Sequence, residues 1–297
     1  MRVTEHGNGE RWSGADWTIV NGDSCEELPK LPNASVDFSV YSPPFLSLYT
    51  YTSSERDIGN CRTREEFAEH YSFVIRELLR LTKPGRITAV HCSQVGTTQA
   101  SHGVTGLYDF RGLVTRLYVD AGWVFHGEIV IDKDPQAQAI RTHSKSLLFI
   151  QKEKDSSWLR PALADYIQVF RAPGENAVPV KCDLTNNEWI EWARPIWYGI
   201  RESDTLNVAE ARDNDDERHI CPLQLGTIER CIRLWTNPGE LVLSPFAGIG
   251  SEGYEAVRLG RRYFGVELKP SYAQTAVKNM HAAEARRSQG TLFAANE

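Results

Sequence analysis

The residues best suited to chemistry in this chain stand in two short loops about two hundred positions apart. In the later loop, Ser244-Pro245-Phe246-Ala247-Gly248-Ile249-Gly250, the glycines lie between an apolar β-type run and a helical pattern, with Gly253 a turn further on. Glycine at such a junction lets the backbone turn sharply and approach a ligand closely, and the helix start offers unpaired N–H groups. Glu267 ends the next β-type run, seventeen residues after Gly250, where a carboxylate can accept hydrogen bonds from both hydroxyls of a ribose. Together they describe a site for an adenosine-bearing ligand. A tight turn with no ligand is the plainer alternative.

The earlier loop is Ser42-Pro43-Pro44-Phe45, directly after the β-type run Val-Asp-Phe-Ser-Val-Tyr. Consecutive prolines fix both φ angles and remove both N–H donors, which leaves rigid carbonyls as acceptors at the strand end. Such a loop is built to receive an amino group. Phe45 adds a flat face on which an extruded base can stack, an interaction worth about 1 to 3 kcal/mol. Taken alone, the loop also reads as a Pro-Pro turn with a half-buried phenylalanine.

The 297 residues hold 33 Lys and Arg against 39 Asp and Glu, a formal net charge of -6. Non-specific nucleic-acid affinity comes mainly from basic residues neutralising phosphates, so any contact with DNA must be local. Cys25, Cys61, Cys92, Cys182, Cys221 and Cys231 form no CxxC pair. That pattern argues against a metal site or a disulfide framework and for reduced thiols. No apolar stretch approaches the roughly eighteen residues of a membrane span, and the first residues are polar, so the chain reads as soluble and cytoplasmic, without membrane segment or signal peptide.

These loops need a scaffold, and short apolar runs alternating with helical patterns supply one: an α/β fold around a mostly parallel sheet. Strands are expected at 17–21, 36–41, 86–91, 123–131, 147–151, 241–244 and 263–267. Phe67, Tyr71, Val74, Leu78 and Leu81 make one apolar stripe on a helix that Pro84-Gly85 is expected to end. The stretch 153–216 breaks the rhythm with Trp158, Trp189, Trp192, Trp197, Tyr198 and an acidic run of Asp213, Asp215, Asp216 and Glu217. It reads as a separate module, dividing the chain into 1–152, 153–216 and 217–297.

Ser42-Pro43-Pro44-Phe45, the loop Ser244 to Gly250, and His219-Ile220-Cys221-Pro222 together resemble the amino-directed DNA methyltransferases of the permuted β class. There the catalytic motif precedes a target-recognition region and the cofactor motif comes last, the order found here over about residues 17 to 150 and 217 to 280. The resemblance implies a circularly permuted, Rossmann-like sheet with an inserted target-recognition module, in which both loops meet at the carboxyl ends of adjacent strands. It implies S-adenosylmethionine as cofactor. Asp23 would hold the adenine end, Glu267 the ribose, and His219 and Pro222 would pack around the methionine end, with Ser244, Phe246, Gly248 and Gly250 forming the cofactor loop. A surface residue capping the next helix is the plain alternative for His219.

One departure concerns the methionine ammonium, for which the family usually has Asp before Pro-Phe where this chain has Ser244. A hydroxyl accepts that bond without charge assistance. Weaker binding, a compensating acid such as Glu252, or a modified cofactor are the open consequences.

By the same resemblance Ser42, Pro43, Pro44 and Phe45 are catalytic, with no metal. An exocyclic amino nitrogen has its lone pair delocalised into the ring, and the Ser42 hydroxyl with the Pro43 carbonyl would accept its hydrogens and localise that pair. The chain contains no Pro-Cys pair, which removes the thiolate chemistry of cytosine C5 enzymes. Serine at the first loop position points to cytosine N4, with adenine N6 as the alternative and a non-catalytic DNA-binding or regulatory protein as a further one. A small-molecule or RNA substrate accounts less well for the permuted order. The partner implied is double-stranded DNA with a flipped base; a homodimer is compatible, and any restriction endonuclease would be a separate chain. Trp189, Trp192 and Trp197 are candidates for target recognition or a module core. Lys133, Arg141, His143 and Lys145, and Arg56, Arg62 and Arg64, are candidates for phosphate contacts or solvated charges.

Overall fold

The computed structural model describes residues 9–45, 57–61, 63–97, 99, 103–142, 144–206 and 222–294, with the side chains of 60, 141, 145 and 290–294 outside that description. Its strands are β1 (Glu10–Ser13), β2 (Trp17–Asn21), β3 (Val36–Tyr41), β4 (Thr82–Ser93), β5 (Val95–Thr97), β6 (Gly106–Tyr108), β7 (Val124–Ile131), β8 (Asp165–Arg171), β9 (Ile196–Trp197), β10 (Leu241–Ser244) and β11 (Arg262–Glu267). Nine of them form one sheet in the order β1-β2-β11-β10-β3-β4-β8-β7-β9, while β5 and β6 pair separately. From β2 to β4 every pairing is parallel. β8 runs antiparallel to both β4 and β7.

All six residues of β3 are buried, as expected of a central strand covered on both faces. It feeds two cores: Val36, set off from the rest of the strand by a register irregularity before Phe38, and Tyr41 join Phe67, Tyr71, Val74, Leu78 and Phe110 in one, and Phe38 and Val40 join Ile228, Ile232, Ala256 and Met280 in the other. Asp37 within it is tied down by Lys83 at 2.6 Å and by the N–H of Leu241 at 2.9 Å. One carboxylate thus links three neighbouring strands.

The helix Arg64–Leu81 buries the expected stripe. It stops before Pro84, because Thr82 turns extended at ψ 131 and returns its hydroxyl to the Leu78 carbonyl at 2.7 Å. β4 then continues through Pro84 and Gly85.

The apolar run 147–151 is not a strand. It forms the 3-10 turn Lys145–Leu147 and the start of the helical turn Gln151–Lys154, with Phe149 69% exposed. The place it was expected to fill is taken by β8, whose Ile167, Val169 and Phe170 are buried between β4 and β7. A short apolar run carries no period that separates strand from turn. β8 and β9 fall within 153–216, so the sheet passes through that stretch, and Trp197 on β9 is fully buried in the main core. What projects outward is the helix Asn186–Trp192, begun by a capping box between Thr185 and Glu188. The acidic run at 213–217 lies outside the described residues.

No helix among the described residues is long and apolar enough to cross a membrane.

Candidate active site

Register brings the two loops together. β3 and β10 pair Phe38 with Val242 and Ser39 with Leu243, so Ser42 and Pro245 leave the sheet side by side at its carboxyl edge. The hydroxyl of Ser24 donates to the Pro245 carbonyl, and the side chain of Asn21 donates to the carbonyls of Glu267 at 2.9 Å and Leu268 at 3.0 Å. Three strand ends are thereby stitched around one cavity of about 1130 Å³ up to its open mouth, lined among others by Asp23, Ser42, Pro43, Pro44, Phe45, Pro222, Phe246, Gly248 and Glu267. His219 lies outside the described residues.

Ser244 and Gly250 do not line it. Ser244 is fully buried, one residue short of the turn, and its hydroxyl faces that of Tyr263 inside the protein. Gly250, at φ +85, is the N-cap of the helix Ser251–Arg258. A Cβ there would lie 3.0 Å from the Cβ of Ala276 and 3.1 Å from its Cα. Its role is close packing. At Gly253, likewise, a Cβ would lie 2.5 Å from the Tyr263 ring, the helix-to-strand approach that a third glycine serves in a Gly-x-Gly-x-x-Gly turn. Gly248 differs: φ is +52 and a Cβ would meet nothing within 4 Å. It faces the cavity.

The N–H of Gly248 donates to Oε2 of Glu267 at 2.8 Å, and that of Lys269 to Oε1 at 2.8 Å. Each carboxylate oxygen keeps one lone pair for a ligand. Burial pushes the Glu267 carboxyl up to about 7, against the pull of those two N–H groups, with Asp57 pushing further upward. Asp23 caps the helical turn Ser24–Glu27 by accepting from the N–H of Cys25 at 2.8 Å. Asp57 and Glu252 complete the acidic lining, and no Lys or Arg is among the described lining residues.

Beneath the Ser-Pro-Pro-Phe loop lies a partly buried polar chain. The Ser42 hydroxyl stands 3.2 Å from Nδ1 of His91 and 3.4 Å from the His91 carbonyl. Nε2 of His91 is 3.2 Å from the Asp165 carboxylate, off the line of an ideal hydrogen bond, and Nζ of Lys133 is 2.7 Å from the same carboxylate. Burial opposes ionisation of Asp165, yet His91 and Lys133 together hold its carboxyl well below the usual range. Lys133, 7% exposed, is therefore a structural counter-ion and not the expected phosphate contact. His91 escaped the sequence reading, although β4 pairs Val90 with Tyr41 and so sets it opposite Ser42. Phe45 rests edge-on against Phe110, ring centroids 5.5 Å apart, and against His91 at 6.3 Å.

Of the other expected contacts, Arg64 lies over the Tyr108 ring at 3.9 Å. Arg56, Arg62 and His143 and the side chains of Arg141 and Lys145 lie outside the described residues. Trp192 is flanked by Arg230 at 5.4 Å and Arg233 at 5.1 Å, whereas Trp189 is exposed. No group of three His, Cys, Asp or Glu suited to a metal ion occurs among the described residues.

A parallel-centred sheet whose neighbouring strand ends carry a glycine turn, an acidic residue and a Ser-Pro-Pro-Phe loop defines a Rossmann-like methyltransferase fold in permuted order. The chain belongs to the DNA methylase family of N6 and N4 methyltransferases, whose model matches residues 36–278. The type II methyltransferase M.BglI of Bacillus subtilis is 30% identical over 162 residues, which are 54% of this chain and 40% of that relative's length. Among solved structures, the putative DNA modification methylase of Thermus thermophilus complexed with S-adenosyl-L-methionine superposes with a TM-score of 0.66 at 24% identity, covering 88% of this chain and 92% of that one. The cytosine-N4-specific PvuII DNA methyltransferase gives a TM-score of 0.65 at 17% identity, covering 95% of each chain.

Proposed function

We propose that this chain transfers a methyl group from S-adenosylmethionine to the exocyclic amino nitrogen of a base flipped out of double-stranded DNA, and that the base is cytosine, modified at N4. The observation that carries the reading is the cavity shared by the Ser-Pro-Pro-Phe loop and the glycine turn. Its lining suits the cofactor: Asp23, Asp57, Glu252 and Glu267, with no basic side chain among the described lining residues, match a ligand bearing a sulfonium and an ammonium, and Gly248 leaves its Cβ space open. When bound, that cofactor supplies an electrophilic methyl group.

The chain's own residues do the rest. Glu267, oriented by Gly248 and Lys269, receives the ribose hydroxyls. Phe45 offers its ring to the extruded base. Nδ1 of His91, 3.2 Å away, accepts the Ser42 O–H, and the oxygen of Ser42 turns its lone pairs to the target amino group. The Pro43 carbonyl accepts the second amino hydrogen. Both bonds draw the nitrogen towards tetrahedral geometry, the charge-localising step that a preorganised site favours. As the nitrogen–methyl bond forms, the methyl–sulfur bond would break to leave S-adenosylhomocysteine, and the amino proton would pass to solvent.

Target recognition falls to the outward helix Asn186–Trp192 with its exposed Trp189 and Ile190. Preference for cytosine rests on Ser42 standing first in the loop, where the family's adenine enzymes usually have Asp. Mass spectrometry of digested DNA from cells expressing the protein tests the whole reading. N4-methylcytosine without N6-methyladenine is expected; N6-methyladenine alone would replace cytosine by adenine, and neither base would favour a DNA-binding protein without catalysis.

A further inference from the structure

The family's usual carboxylate for the cofactor ammonium is absent, because position 244 is Ser, and that side chain is sealed in the sheet and does not line the cavity. We infer that Glu252 holds the ammonium of S-adenosylmethionine in this chain, so that the task has moved from the strand end to the first turn of the following helix. The inference rests on the cofactor reading above.

Four carboxylates line the cavity among the described residues, and three are engaged. Glu267 accepts backbone N–H groups at both oxygens, Asp57 accepts the N–H of Gly59 at 2.8 Å, and Asp23 accepts that of Cys25. Glu252 differs in that its backbone donor is its own N–H, and no ion pair with it occurs among the described residues. It is 5% exposed and sits in the first turn of the helix Ser251–Arg258, where the helix N-terminus favours negative charge only modestly. The charged group that acts on it is Glu267, and the effect is repulsive; with burial this pushes the Glu252 carboxyl up to about 8. An ionised carboxylate so deep is costly unless a cation meets it. The cavity side is where such a cation can arrive, and an alkylammonium, with three donors, satisfies the open lone pairs.

The ribose end is held at Glu267, so the two acids divide the ligand: one reads the nucleoside and the other the amino-acid tail. This division makes the inference testable without turnover. S-adenosylhomocysteine carries the ammonium, whereas methylthioadenosine has the same nucleoside and no amino-acid tail.

Calorimetry on the full chain should find S-adenosylhomocysteine bound more tightly than methylthioadenosine by the wild type. In Glu252→Gln the affinity for S-adenosylhomocysteine should fall about tenfold or more, as expected for loss of a charge-assisted bond, with methylthioadenosine changed less than about twofold. Retained methylthioadenosine binding also shows that the variant is folded. Asp57→Asn should keep the ratio between the two ligands near the wild-type value. Equal losses for both ligands in Glu252→Gln, no loss for either, or a ratio that collapses only in Asp57→Asn would each overturn the assignment. Wild-type protein that bound neither ligand would overturn the cofactor reading itself, a separate result.

Discussion

The hydroxyl of Ser42 lies 3.2 Å from Nδ1 of His91, which faces the half-buried carboxylate of Asp165 through its other nitrogen at 3.2 Å. The first residue of the Ser-Pro-Pro-Phe loop is thus oriented from behind, by a ring held between it and a carboxylate.

Replacing His91 should therefore impair chemistry and spare the cofactor. In His91→Ala the Ser42 hydroxyl loses its acceptor at Nδ1, and its lone pairs lose their fixed aim at the amino group. Loss of one hydrogen bond at a desolvated site is worth about 1 to 3 kcal/mol, so single-turnover methylation should slow by roughly tenfold to a hundredfold. Binding of S-adenosylhomocysteine in calorimetry should stay within about twofold of wild type, because His91 is not among the cavity lining. A wild-type rate would remove His91 from the positioning of Ser42.

Buried acids make the stability of the ligand-free protein fall with rising pH. Unfolded, Glu252 and Glu267 titrate near their ordinary value of 4.5, whereas folded they hold their protons up to about 8 and about 7. A folded pKa above the unfolded one gives a contribution that is complete below 4.5 and is lost as pH rises through 7 and then 8. Thermal unfolding of Glu252→Gln should accordingly show a midpoint above wild type near pH 9, by a few °C or more, and little difference near pH 5. A shift of the same size at both pH values would mean that Glu252 is not the titrating group.

Lys133 should behave as a structural ion. Its side chain is 2% exposed and meets Asp165 at 2.7 Å. Lys133→Met should leave that half-buried carboxylate with His91 alone and lower stability to urea by about 1 to 3 kcal/mol, below the scale for breaking a fully buried pair from one side. The dependence of DNA binding on salt should not change, since each phosphate contact adds close to one unit to that slope. A slope reduced by about one would return Lys133 to the DNA interface.

Much of this architecture is legible from residue spacing, and the failures share one cause. The stripe Phe67, Tyr71, Val74, Leu78, Leu81 and the glycine turn before Ser251 are local patterns, set by the helical period and by backbone freedom at Gly248 and Gly250, and both are present as expected. β8 was missed because Gln168 interrupts its apolar residues and Asp165 and Arg171 bound them. Each is engaged by a partner remote in sequence: Asp165 by Lys133, Gln168 by Thr115 at 2.5 Å, and Arg171 by the Gly85 carbonyl at 3.2 Å. His91 was missed for the same reason, since its meaning depends on β4 lying beside β3. Spacing along the chain reports which face a residue takes, not which distant residue waits there.

The two loop glycines should separate packing from binding. In Gly250→Ala the added Cβ meets Ala276 at 3.0 Å and the side chain of Met280 at 3.1 Å, at a φ of +85. Crowding adds to the left-handed strain of about 1 to 2 kcal/mol, so the helix Ser251–Arg258 should be pushed off its seat and unfolding by urea should occur at clearly lower concentration. Gly248→Ala carries similar backbone strain at φ +52, but its Cβ enters open space on the cavity side, where the nucleoside is proposed to lie against Glu267. It should lose about tenfold or more in methylthioadenosine affinity, on the scale of overpacking a fitted site, with a stability loss held to the strain alone. Should Gly248→Ala bind methylthioadenosine as wild type does, the nucleoside does not pass over Gly248, and the orientation of the cofactor between Glu267 and Glu252 would have to be reversed.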